Sequence, residues 1–63
     1  DELEGKTVLI TEEVDNVKGT GSGKINGMVW TVRSGSDEII PAGITAKIIR
    51  IEGVKLIVDG GKE

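Results

Sequence analysis

Ser22-Gly23-Lys24-Ile25-Asn26-Gly27-Met28-Val29-Trp30-Thr31-Val32-Arg33 is the stretch that decides the fold of this chain. Asn-Gly between two alternating runs is the strongest short-range hairpin signal, because a type I′ turn needs positive φ at both central positions. The stretch reads as a short strand over about 22–25, a two-residue turn and a second strand over 28–33. Alternation sets Met28, Trp30 and Val32 on one face, read as the core face, and Val29, Thr31 and Arg33 on the other.

Upstream, residues 6–12 form a strand with Val8 and Ile10 on one face and Thr7, Leu9 and Thr11 on the other. A polar connection over 13–21 follows, rich in Asn, Asp and Gly, which tolerate left-handed backbone. Downstream, Pro41 forbids a central strand between Ser34 and Gly43, so a loop with at most one helical turn is expected there. A fourth strand over 45–51 carries adjacent Ile48 and Ile49 and then Ile51, which calls for a bulge or a change of facing. Glu52-Gly53 makes the next tight turn, and 54–58 is the last strand, with Val54, Leu56 and Val58 aligned.

Nowhere do apolar residues recur at helical spacing over three turns without Gly, Pro or β-branched residues intervening. Val, Ile and Thr instead cluster in short runs between turn residues, as strands do. Five short strands cannot make two packed sheets of useful size, and closing one sheet on itself removes its edges. The expected fold is therefore all-β, a small five-stranded OB-like barrel with little or no helix, an SH3-like barrel being the neighbouring solution. At 63 residues the chain holds one domain, with an ordered core over about 5–59 and polar, poorly patterned edges at 1–4 and 60–63.

The chain has no His and no Cys. That removes disulfides, zinc-type thiolate or imidazole sites, thiol nucleophiles and the commonest general base near neutral pH. Ser22, Ser34, Ser36 and the threonines lack a histidine to activate them, so no catalytic residue is assigned. Gly19-Thr20-Gly21-Ser22-Gly23-Lys24 has a superficial likeness to a phosphate-cradling loop, but Ile25-Asn26-Gly27 follows where that mechanism needs a helix N-terminus. Glu12, Glu13 and Asp15, and likewise Asp37 and Glu38, miss the oxygen spacing of calcium loops and read as solvated loop charges. No cofactor or metal site is expected.

Lys and Arg number 8 against 11 Asp and Glu, a net charge of −3. Such a field repels polyanions. Trp30 is the sole aromatic residue, whereas single-strand-binding OB folds stack several bases on aromatic platforms in a basic groove. A binder of single-stranded nucleic acid or oligosaccharide is thus the alternative, and nucleic acid is not the expected partner. No apolar run approaches the roughly 20 residues that span a bilayer, and no leader resembling a signal peptide is present.

Ile39 and Ile40 beside Pro41 are two large aliphatics in a loop. They serve either as a plug for one end of the barrel or as part of a docking edge. In the second reading Val29 and Ile57, on outward faces, join Ile39 and Ile40 as the apolar centre of an interface rimmed by Arg33 and Lys55.

Gly19-Thr-Gly-Ser-Gly-Lys-Ile-Asn-Gly-Met-Val-Trp30, Val32-Arg33-Ser34, Ile40 to Gly43 and Ile51-Glu-Gly-Val-Lys-Leu-Ile-Val58 together resemble the C-terminal soluble domain of the NfeD family, and Leu3-Glu4-Gly5-Lys6 fits the family's opening. The resemblance covers nearly the whole chain. It implies a non-catalytic OB-fold domain, part of a longer protein and attached to transmembrane helices that precede it. It further implies a stomatin-, prohibitin- or flotillin-like partner, with this domain in the aqueous phase on the cytoplasmic side. The serine protease domain of longer members has no counterpart in these residues. Val8 stands where many members have a second Gly, and the connection after Val14 reads as longer than theirs.

Overall fold

The computed structural model describes residues 3–59. Five strands follow one another: β1 (Thr7–Asp15), β2 (Thr20–Ile25), β3 (Met28–Ser34), β4 (Thr45–Glu52) and β5 (Lys55–Asp59). They close into a barrel in the order β1-β2-β3-β5-β4, with β4 returning to β1. Neighbours are antiparallel except β3 and β5, which run parallel. No helix occurs among the described residues. The expected all-β, five-stranded barrel is the observed one; the edge residues 1, 2 and 60–63 lie outside the described residues.

The Asn26-Gly27 hairpin forms as its chemistry requires. Asn26 has φ 54° and Gly27 φ 79°, and Ile25 pairs with Met28 across the two-residue turn. The β4–β5 turn sits one residue later than the sequence suggests. Glu52 pairs with Lys55, so Gly53, at φ 63°, and Val54 form the turn, and Val54 leaves the core row. In β4 the ladder slips between Ile48 and Arg50. The extra residue, Ile49, points outward, which lets Ile48 and Ile51 both face the interior, as a bulge permits.

β1 runs three residues beyond its expected end. Register shifts between Ile10 and Glu12 and between Glu12 and Asp15 let the strand bend and stay paired with β2. Thr20 Oγ1 donates to the Glu13 carbonyl at 3.0 Å and Ser22 Oγ to Glu12 Oε1 at 3.0 Å across the irregular stretch. The connection after Val14, read as long, is thus the short turn 16–19. Asp15 caps it by accepting from the Val17 and Lys18 amides, the local bonding that favours Asp in turns.

The interior is filled by Val8 and Ile10 of β1, Val32 of β3, Ile48 of β4 and Leu56 and Val58 of β5. Strand β2 supplies glycines instead: Gly21 and Gly23 are its buried positions. A Cβ on Gly23 would lie 2.6 Å from Val8 Cγ2 and 3.0 Å from Val32 Cγ2. At these two positions β2 leaves the interior to its neighbours. Val8 fills the space that Gly23 leaves.

The connection between β3 and β4 contains no helical turn. It is fixed by long-range bonds. Ile40 exchanges backbone hydrogen bonds with Val14 at 3.0 and 2.8 Å, and its side chain is fully buried. Asn16 holds the start of the loop by bonding both backbone groups of Ser34.

Candidate partner-binding surface

Because β3 and β5 are parallel, the two tight turns that precede them, Asn26-Gly27 and Gly53-Val54, lie at the same end of the barrel. The opposite end carries the 16–19 turn and the loop from Gly35 to Ile44. Among the described residues there is no cavity and no grouping of His, Cys, Asp or Glu suited to a metal ion.

On the outer face of the β3–β5 pair, Thr31 lies opposite Lys55 and Arg33 opposite Ile57. Ile57 also faces Arg50 on β4, so an aliphatic residue stands between two arginines. Arg50 is paired with Glu52 at 2.6 Å. The Arg33 guanidinium turns back along the barrel, Nη1 donating to the Val32 carbonyl at 2.8 Å and Nη2 to the Gly19 carbonyl at 3.0 Å. That holds it in one place and keeps it half-buried. Val29, on the same outward row, is 68% exposed and faces Lys24 on β2.

The proposed docking residues thus separate into three groups. Val29, Arg33 and Lys55 share the outer face of the β3–β5 pair. Ile39 is 58% exposed but belongs to the opposite end of the barrel. Ile40 and Ile57 are not surface residues. Ile40 plugs the barrel through its bridge to Val14. Ile57 does face outward from the interior cluster, yet only 7% of it is exposed. Gly35 comes down on it, so that a Cβ there would lie 3.3 Å from Ile57 Cγ2 and 3.1 Å from Ile49 Cδ1.

The hairpin end is more apolar than the sequence alone suggests. Met28 is 61% exposed and Val54 75% exposed, although alternation assigns both to core rows. Face and burial part company here because these residues sit at the rim, beyond the reach of the interior. Leu3, Ile25, Trp30 and Ile51 are half-buried and packed against the core cluster. Trp30 therefore meets the core expectation with part of its ring only, and its buried Nε1 has no acceptor. The one advance signal for the exposed rim was its position directly beside turn residues.

The family model for the NfeD-like C-terminal, partner-binding domain matches residues 1–59. Among solved structures, the soluble domain of a Corynebacterium glutamicum membrane protein implicated in regulation of membrane protease activity superposes at a TM-score of 0.82 with 26% identity, covering 90% of this chain and 89% of that one. The C-terminal domain of stomatin operon partner protein 1510-C from Pyrococcus horikoshii superposes at 0.81, also with 26% identity, covering 98% of this chain and 92% of that one. No curated protein matches the chain.

Proposed function

This chain belongs to the NfeD family of C-terminal, partner-binding domains, and from that premise we propose that it is a non-catalytic docking module for a stomatin-, prohibitin- or flotillin-type membrane protein. The Pyrococcus relative is a stomatin operon partner, which favours the stomatin type. The observation that carries the reading is the outer face of the β3–β5 pair. There exposed Val29 shares an outward row with Thr31 and Arg33, with Lys24 facing it on β2 and Lys55 facing Thr31 on β5. Apolar contact flanked by charge is how protein interfaces are composed.

In the full protein the module is held at a membrane by segments outside the described residues and faces the cytoplasm. The Corynebacterium relative, a soluble domain of a membrane protein, supports the first part. A reporter fused after Asp59 in the full-length protein tests the second: activity of a periplasm-restricted reporter would refute it.

Docking is tested by titrating the isotopically labelled domain with the stomatin-type protein of the same organism. Amide shifts at Val29, Arg33 and Lys55 are expected, with Ile39 moving only if the contact wraps to the opposite end. Saturable binding that leaves the β3–β5 face unperturbed would dismiss this surface.

A further inference from the structure

The charges of this acidic chain are unevenly distributed. Glu12 and Glu13 on β1 and Asp37 and Glu38 in the β3–β4 loop outnumber Lys18 and the Arg33 guanidinium toward the end of the barrel opposite the two tight turns. The hairpin end is different. There Lys24 faces Val29 across the β2–β3 pair, and Lys55 follows Val54 directly and lies beside Thr31. The acidic neighbour Glu52 is held by Arg50, and Glu4, on the approach to β1, is also engaged. Exposed Met28, Val29 and Val54 thus gather at the hairpin end, at the rim and on the adjoining wall, with Lys24 and Lys55 as neighbours on a protein of net charge −3.

Neither folding nor solubility demands this arrangement. Met28 and Val54 could be polar without disturbing the interior, since they lie outside the core cluster. Complementary charge at the rim of an apolar patch does serve association, by steering encounter and rejecting wrong partners. Resting on the docking function proposed above, we infer that the hairpin end receives an amphipathic segment of the partner protein. That segment is aliphatic where it meets Met28, Val29 and Val54 and bears carboxylates at the edges that meet Lys24 and Lys55.

Trp30 adjoins Val29 on β3 and is half-buried, so its fluorescence reports occupancy. The chain is titrated with the stomatin-type partner, and separately with two synthetic amphipathic peptides sharing one leucine face, one flanked by Glu and the other by Lys. Vesicles of phosphatidylglycerol form a fourth arm. The partner and the Glu-flanked peptide are expected to perturb Trp30 and the Met28, Val29 and Val54 amides, and the Lys-flanked peptide to leave them unchanged. Affinity should fall as salt is raised.

Lys24→Gln with Lys55→Gln should weaken partner binding about tenfold, whereas Lys18→Gln, at the opposite end, should not. All three lysines are exposed, and unchanged thermal unfolding of the variants verifies that the fold is intact. If the partner binds with an affinity indifferent to salt and to the double substitution, the acidic-segment inference is overturned while the docking function stands. If the partner does not bind at all, both are lost. Tighter binding to the vesicles than to the Glu-flanked peptide would assign the patch to a lipid surface and overturn the inference.

Discussion

Asn16 and Ser34 are joined as if they were strand neighbours, although the carboxamide of one meets the backbone of the other. Asn16 Nδ2 donates to the Ser34 carbonyl at 2.8 Å, and its Oδ1 accepts from the Ser34 amide at 3.0 Å. The same Nδ2 reaches Asp37 Oδ1 at 2.7 Å, while Ser34 Oγ accepts from the Ser36 and Glu38 amides. One side chain thus completes the end of β3 and fastens the loop that carries Ile40 into the barrel. Asn16→Ala leaves the Ser34 backbone groups without these partners and should cost about 1–3 kcal/mol in urea unfolding. Asn16→Asp should cost more at neutral pH, since it sets a carboxylate against the Ser34 carbonyl and Asp37.

Gly23→Ala should destabilise by about 1–3 kcal/mol through overpacking, because its methyl would stand 2.6 Å from Val8 Cγ2. Val8→Ala alone costs a similar amount by removing buried methyls. Combined, the two should cost clearly less than their sum, as neighbours sharing one space do. Strict additivity in unfolding measurements would show that Val8 is not what Gly23 makes room for.

Gly27→Ala probes backbone alone. Nothing lies within 4 Å of a Cβ at Gly27, so the expected loss of about 1–2 kcal/mol comes from its left-handed conformation. No truncation of a neighbour should restore it, in contrast to Gly23→Ala.

Trp30→Phe removes an N–H that is buried without an acceptor and keeps much of the ring. Its stability should stay within about 1 kcal/mol of the parent, whereas Trp30→Ala should lose about 2–3 kcal/mol, less than a fully buried tryptophan. A larger loss for Trp30→Phe would reveal an acceptor for the indole.

Single-stranded oligonucleotide at low salt should give no saturable quenching of Trp30, given the net charge of −3 and one aromatic residue. Clear saturation would move the barrel into the class of nucleic-acid-binding OB folds.

The barrel was legible because its determinants are local. Asn26-Gly27 fixes one hairpin by backbone chemistry, and alternation around it orders the faces; Ile48-Ile49 followed by Ile51 announced a bulge or a change of facing, and the ladder slip between Ile48 and Arg50 is the bulge. The surface was less legible, for reasons that differ by residue. Ile39 and Ile40 are neighbours, and only the distant bridge to Val14 decides which goes inside. Ile57 points outward as alternation says, yet Gly35 and Ile49 cover it. Met28 and Val54 have core-facing register but overrun the end of the interior. The Asn16–Ser34 bond has no signature in either segment, since each reads as ordinary turn chemistry.

The parallel contact of β3 with β5 and the return of β4 to β1 also set the tempo of folding. Neither closure can form until segments far apart in sequence have met, so loop-closure entropy is spent before the ring gives anything back. Barrels of this kind belong to the slow end of small-domain folding, on the order of milliseconds to seconds. The first three strands alone lack both the partner for β1's free side and the one for β3's. Until β5 joins them, the sheet β4-β1-β2-β3 keeps two unpaired edges, and this single strand removes both by pairing with β3 on one side and β4 on the other.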